Sequence, residues 1–210
     1  IVISPGAACA AGLQPKRTAA GSRRSRGFWK RAGNSMRVRH LVLGPLAALG
    51  LSGAASAGEQ YVDKSGFAAS GYDVVAYFEL PQAPPGQEQA PAVPGRKDIT
   101  ATHNGATFAF ASEANRDAFV ADPDKYAPAY DGHCAYGVAK GGKVPGNPNL
   151  WRIVDGRLYL NITPNVVTFW EEDIPGNITT AQKNWSGIEG EAASAKAVPK
   201  LDTKAAPLGG

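Results

Sequence analysis

His133 and Cys134 stand side by side in the stretch YDGHCAYGVAKGG, Tyr130 to Gly142. A thiolate and an imidazole are suitable ligands for Zn²⁺ or copper. They are also the pair from which a thiol nucleophile is built. His103, just before Asn104-Gly105, offers a second imidazole, and Asp131 lies two residues before His133. Cys134, His133, His103 and Asp131 together reach the four ligands of a structural zinc site. Neighbouring residues point to opposite faces of a strand and diverge by about 100° on a helix. His133 and Cys134 therefore converge on one ion only within an irregular loop, which Gly132 permits. A second reading makes Cys134 a small buried residue, since free cysteines are among the most buried side chains. Burial would also protect a lone thiol from oxidation, with Tyr126, Tyr130 and Tyr136 packed around it. A third reading is thiol catalysis, with a histidine as base and Asp131 orienting it. No Cys-x-x-C pair or nucleophile-elbow pattern accompanies it.

The ends of the chain decide how many thiols remain. The single Met is Met36, followed by RVRHLVLGPLAALGLSGAASA. A basic start, a short apolar run and the small-x-small triplet Ala55-Ser56-Ala57 form a secretory signal peptide over 36–57, cleaved after Ala57. The apolar run is too short to span a bilayer, which takes about 20 residues, so no membrane span is expected after cleavage. Residues 1–35 hold seven Lys or Arg and no acid, and read as a disordered extension upstream of the true start. Cys9 leaves with it, so Cys134 has no partner for an internal disulfide. The resulting location is the periplasm or the exterior. The whole chain is net +4, but residues 58–210 carry 13 basic and 18 acidic residues, a formal charge of −5. The basic balance belongs to the leader, and nucleic-acid binding is excluded for want of a basic patch on the folded part.

Two hairpins must position the thiol segment. DITATHNGATFAFAS and LWRIVDGRLYLNI place Asn104-Gly105 and Asp155-Gly156 between alternating residues, the signature of tight two-residue turns. Ser112 caps a helix that Asp122-Pro123 stops. Thr163-Pro164 opens another, ended by Pro175, and Asn177 caps a last one bearing Ile178, Ala181 and Trp185. Trp151, Trp170 and Trp185 are core candidates. KGGKVPGNP lacks phosphate-loop spacing and reads as a connection. Glu171-Glu172-Asp173 reads as a solvated charge run. Residues 81–95, with five Pro and two Gly, form an extended, solvated loop. Residues 188–210 form a disordered tail. No internal repeat of solenoid length is apparent. Hairpins followed by helices predict a small single α+β domain: two antiparallel β-hairpins with short helices packed on them.

GYDVVAYF (Gly71–Phe78), TFAFASEANRDAFVADPDKYAPAYDGHCAYGVAKG and WRIVDGRLYLNIT, with Trp170 and Trp185 downstream, resemble the exported YHS-domain proteins of bacteria. The resemblance covers residues 71–187, and the domain is placed at 58–187. It implies a small α+β unit related to metal-handling modules of the TRASH type, whose sites use several cysteines. This chain keeps one, and only Cys134 matches a ligand position. The leading expectation is a non-enzymatic Cu or Zn binding or metal-homeostasis accessory protein. The alternative is a metal-free module that binds a protein or small ligand, with Cys134 in the core. A thiol-dependent enzyme stands third.

Overall fold

The computed structural model describes residues 58–201. The segments expected to be an upstream extension (1–35) and a signal peptide (36–57), and the last nine residues of the expected tail, lie outside the described residues. Two antiparallel hairpins form the frame. Strands β1 (Arg96–His103) and β2 (Ala106–Phe110) make the first, and β3 (Asn147–Val154) and β4 (Arg157–Asn161) the second. Helices α1 (Glu113–Ala121) and α2 (Pro123–Tyr126) follow the first hairpin. The short helix α3 (Ala135–Ala139) precedes the second, and α4 (Pro164–Glu171) and α5 (Ile174–Ile188) follow it. The α+β class with two hairpins and short helices is as the sequence predicts. Among the described residues no helix is long and apolar enough to cross a membrane.

The two halves repeat one another, which the sequence reading misses. Asn104 and Asp155 both sit in the left-handed region, at φ 47° and 49°, each followed by a glycine at positive φ. Each register pairing of the first hairpin recurs 51 residues later. Thr100↔Ala109 becomes Trp151↔Leu160, and His103↔Ala106 becomes Val154↔Arg157. Ser112 and Thr163 cap α1 and α4 by accepting from the N–H groups of Asn115 and Val166. Asp122 and Asp173 cap α2 and α5. Phe119 and Trp170 are the buried anchors of their helices.

The repeat extends upstream. Ala69, Ser70 and Gly71 form a left-handed turn, and Tyr130, Asp131 and Gly132 form its counterpart. Tyr72 then bridges Pro94, and His133 bridges Pro145. Asp73 N–H donates to Val93 O at 2.8 Å, and Cys134 N–H donates to Val144 O at 2.8 Å. Both halves thus close on a Val-Pro-Gly triplet, 93–95 and 144–146. Gly95 and Gly146 are required there. A Cβ on Gly95 would fall 2.5 Å from the Ala109 backbone, and one on Gly146 would fall 2.6 Å from Gly132 O.

Alternation on β4 divides the interior. Leu158 and Leu160 join Trp151, Phe108, Phe110, Phe119 and Tyr77 in one core. Tyr159 faces the other way and packs with Trp170, Val138, Ala135 and Ala181 in a second. The second hairpin is thus the shared wall, and its two faces account for the near-continuous burial of Leu158–Asn161.

Several local expectations are corrected. Pro175 begins α5 rather than ending α4, because a proline in the first turn forfeits no helical hydrogen bond. Asp173 is the cap. Asn177 lies inside the first turn, and its Nδ2 donates to Trp170 O at 3.0 Å. The Pro-rich stretch 81–95 is a loop without helix or strand, exposed over most of 81–88 as expected, but it is also fastened as a strap across the second hairpin. Trp151 Nε1–H donates to Ala90 O at 2.8 Å, and Ala92 N–H donates to Asn149 Oδ1 at 3.0 Å. In the charge run Glu172 and Asp173 are exposed as expected, and the departure is Glu171. Glu171 is buried against Arg152, and Asp173 caps α5. The tail expected to be disordered from 188 continues α5 to Ile188 and then lies on the body up to Leu201, which packs against the first core. Tyr61 Oη donates to Lys196 O at 2.9 Å, and Lys143 Nζ donates to Glu189 O at 2.8 Å. Low aromatic content hid these anchors, because the groups they use are backbone ones.

Candidate functional site

The segment around the thiol is built by its left-handed turn. Tyr130 and Asp131, at φ 56° and 54°, reverse the chain, and Gly132 at φ 78° releases it into extended backbone at His133. Cys134 is also extended and serves as N-cap of α3. Two successive extended residues send their side chains to opposite sides. The irregular loop needed for convergence is therefore present only before His133, not between His133 and Cys134.

Cys134 is wholly buried. Its Sγ accepts the Gly137 N–H at 3.4 Å and donates to Asn161 Oδ1 at 3.4 Å. Asn161 Oδ1 also accepts the Tyr136 N–H at 3.2 Å. Burial pushes the thiol pKa up, so the sulfur is a neutral cap at physiological pH. The position equivalent to Cys134 in the first half is Asp73. Asp73 is wholly buried and caps the turn Ala76–Phe78, accepting the Val75 and Ala76 N–H groups at 2.9 and 3.2 Å. The two halves place a side-chain acceptor at one structural point, a carboxylate serving four donors in the first and a thiol serving one in the second.

His133 is wholly buried as well, on the other side. Its Nδ1–H donates to Tyr130 O at 2.9 Å, and its Nε2 accepts the Ser194 N–H at 3.1 Å. Tyr61 meets the ring edge-on with centroids 5.9 Å apart, and Trp185 lies 6.2 Å away. Both nitrogens are committed, which fixes the neutral Nδ1–H tautomer. Burial above all, with Lys143 adding, depresses the pKa from 6.5 to about 4 despite the opposing backbone hydrogen bond and Glu59.

This arrangement sets a pH dependence. Protonation at Nε2 would set an N–H against the Ser194 N–H that this nitrogen accepts, so the unfolded chain takes up the proton first. The stabilisation is complete above pH 6.5 and is lost as pH falls toward about 4. The loss amounts to about 3 kcal/mol. Asp131, whose pKa is raised, works in the opposite direction in acid. Urea midpoints should hold from pH 8 to 7 and fall between pH 6.5 and 5, before ordinary carboxylates titrate. A flat profile over that interval would show that the ring is not buried neutral.

The other two candidates lie elsewhere in their contacts. His103 ends β1, meets Phe119 edge-on at 5.9 Å and has its Nε2 3.5 Å from Asp124 Oδ1. Asp131 accepts the Gln60 Nε2–H through Oδ1 at 2.7 Å. Among the described residues no group of three or more His, Cys, Asp or Glu is placed to hold a metal ion. Cys134, His133, His103 and Asp131 are thus not brought together as one group, and the Cys134 sulfur and both His133 nitrogens are engaged in internal hydrogen bonds. Sequence spacing could not reveal it, because what occupies His133 Nε2 is a backbone amide 61 residues downstream.

Sequence reading also misses a cleft between the strap, β3 and α4. It has a volume of about 310 Å³ and is lined by Gln87, Gln89, Asn149, Trp151, Val167 and Glu171, among others. Glu171 ties α4 to the strap at this cleft, its Oε1 accepting from Arg152 and its Oε2 accepting the Gly86 N–H at 2.6 Å. Trp151 was legible as core, but the cleft depends on a strap folding back over it, which the run of prolines disguised. No family model, curated protein or solved structure matches the chain.

Proposed function

We propose that this chain is an exported, non-catalytic binding module of YHS type that works without a bound metal and takes a small, partly apolar ligand in the cleft beneath the Pro-rich strap. The observation that carries the reading is the contrast between two places. The thiol and imidazole are spent on internal hydrogen bonds. The cleft, at about 310 Å³, falls within the usual range of ligand pockets, about 300–1,000 Å³. Trp151 and Val167 supply apolar wall, and Asn149, Gln87 and Gln89 supply polar groups. The YHS resemblance supports a small exported module, and the signal-peptide pattern before Gly58 supports export.

One experiment weighs this against the metal reading. The purified protein and its Cys134→Ala variant are titrated with Cu⁺ and Zn²⁺, and the native thiol is challenged with a labelling reagent at pH 7. Cys134 is expected to stay unlabelled until denaturant is added, and neither protein should bind stoichiometric metal. Stoichiometric binding lost in Cys134→Ala would restore the metal-homeostasis role. Fast native labelling would remove the buried-cap account. A fragment screen read by Trp151 chemical shifts should give ligands whose binding is abolished by Val167→Trp, which fills the cleft. Ligands unaffected by that substitution would place binding elsewhere.

A further inference from the structure

Asp131 has one carboxylate oxygen with nothing to do. Its Oδ1 accepts from Gln60 and its main-chain oxygen accepts the Tyr61 N–H at 2.8 Å. Its Oδ2 is buried and has no hydrogen-bond partner among the described residues. Leaving a buried acceptor of this kind unpaired is costly. Burial and the neighbouring Glu189 together push the Asp131 pKa up. The surroundings thus hold two carboxylates, with Lys143 already spent on the Glu189 and Glu191 carbonyls and lying over Trp185.

Gly58 lies directly against this oxygen. A Cβ built on Gly58 would fall 2.0 Å from Asp131 Oδ2, 3.0 Å from Glu189 Cγ and 3.0 Å from Glu189 O. The Gly58 Cα is therefore within about 3.5 Å of the unpaired oxygen, and the Gly58 nitrogen is about 1.5 Å from that Cα. Gly58 itself is buried. It is also the residue immediately after the Ala55-Ser56-Ala57 triplet.

We infer that Asp131 is the receptor for the α-ammonium group of Gly58, created by cleavage after Ala57, so that processing installs the last ion pair of the fold. The inference rests on the export reading above. In the cleavage, a signal-peptidase-class protease breaks the Ala57–Gly58 peptide bond. Water adds its oxygen to the Ala57 carbonyl carbon, and the Gly58 nitrogen leaves as an amine. That amine is protonated at neutral pH and below, its ordinary pKa being about 7.7–8.0. Before cleavage the same nitrogen is a neutral amide with one N–H. Afterwards it carries a full charge and three donors, enough for Asp131 Oδ2 and Glu189 O. Anchoring Gly58 also anchors its neighbours down the chain. Glu59 Oε2 accepts the Ala193 N–H at 2.9 Å, and Tyr61 holds Lys196 and flanks His133. The first residues after the cleavage point and the tail are thereby drawn together over the imidazole. Only glycine fits at the start of this arrangement, since any side chain would collide with the carboxylate it must approach.

The test uses the full chain with residues 52–57 replaced by the recognition sequence of a site-specific protease that leaves Gly58 first. The same molecule is compared before and after cutting, independently of export. Cutting is expected to lower the unfolding equilibrium constant about tenfold, the effect of one hydrogen-bonded charge, and to have no effect in Asp131→Asn. An unchanged midpoint on cutting, or an equal gain in Asp131→Asn, overturns the ion pair. Should Asp131→Asn fold too poorly to compare, amine labelling of the cut protein at pH 7 decides. Slower modification of the α-amine in the folded than in the denatured state is expected, and equal rates overturn the pairing. Separately, the intact mass of the exported native chain should correspond to a start at Gly58. Another start overturns the processing step and with it the export reading, whatever the cutting experiment gives.

Discussion

Replacing Asp73 with Ala is expected to destabilise the protein by about 4 kcal/mol or more. Asp73 is wholly buried and serves four donors. Oδ1 accepts the Val75 and Ala76 N–H groups, and Oδ2 accepts the Ala111 N–H at 2.8 Å and Asn115 Nδ2–H at 2.7 Å. Hydrogen bonds to a charged group contribute about 1.5–3 kcal/mol each, and an orphaned buried donor costs about 1–3 kcal/mol. These terms do not add in full, because water can enter the gap left by the carboxylate. Even a partial sum is a large share of the 5–15 kcal/mol typical of a domain. Asp73 also ties the turn Ala76–Phe78 to a junction far downstream, where the end of β2 passes into the first turn of α1. Its loss should therefore lower the urea midpoint and detach α1 early, seen as loss of amide exchange protection at Asn115–Phe119. Asp73→Asn should recover little, since its amide nitrogen must face donors. A midpoint within about 1 kcal/mol of the native protein would show that the four bonds do not hold this junction.

Glu171→Ala is expected to cost about 3–5 kcal/mol, because it strands a buried guanidinium. Arg152 and Glu171 have side chains only 6% and 7% exposed, and they meet at 2.5 Å. Arg152 Nη1–H also donates to Ala83 O at 3.0 Å, so the pair ties α4 and β3 to the strap. Replacing both residues together, Arg152→Met with Glu171→Leu, should recover most of the loss, since an apolar pair of similar volume avoids the desolvation cost. Both variants lose the Glu171 acceptor for Gly86 N–H, so the strap should gain mobility in each, while the midpoint returns only in the double variant. Denaturation midpoints checked beside amide exchange at Gly86–Gln89 would separate the two effects. A single Glu171→Ala variant as stable as the native protein would mean that the buried pair contributes nothing net.

The range of the forces involved decides how much of this was legible beforehand. The turns at Asn104-Gly105 and Asp155-Gly156 and the caps Ser112 and Thr163 are local, fixed by the φ preferences and side-chain reach of a few residues, and the sequence announces them. Trp151 and Trp170 declared the core through alternation and helical spacing. What stayed hidden depends on long-range backbone partners. The strap reads as an extended, solvated loop by composition, yet it is fastened through carbonyls at Ala83 and Ala90 that any residue type would present. His133 reads as a ligand by its chemistry, and only the amide of Ser194 shows that its second nitrogen is taken. The buried capping roles of Cys134 and Asp73 were available only by lining up the two halves, and the extra length of the strap conceals that register.

That extra length has a consequence for how the molecule can vary. Twenty residues lead from Asp73 to Val93, and ten from Cys134 to Val144, yet both ends meet through the same main-chain contact at 2.8 Å. The shorter connection proves that ten residues suffice to shut the ring. Doubling a loop costs only about 0.6 kcal/mol of closure entropy. Chain closure therefore leaves the length of the surplus segment open, and what limits it is the need to keep the Ala83 and Ala90 carbonyls on Arg152 and Trp151.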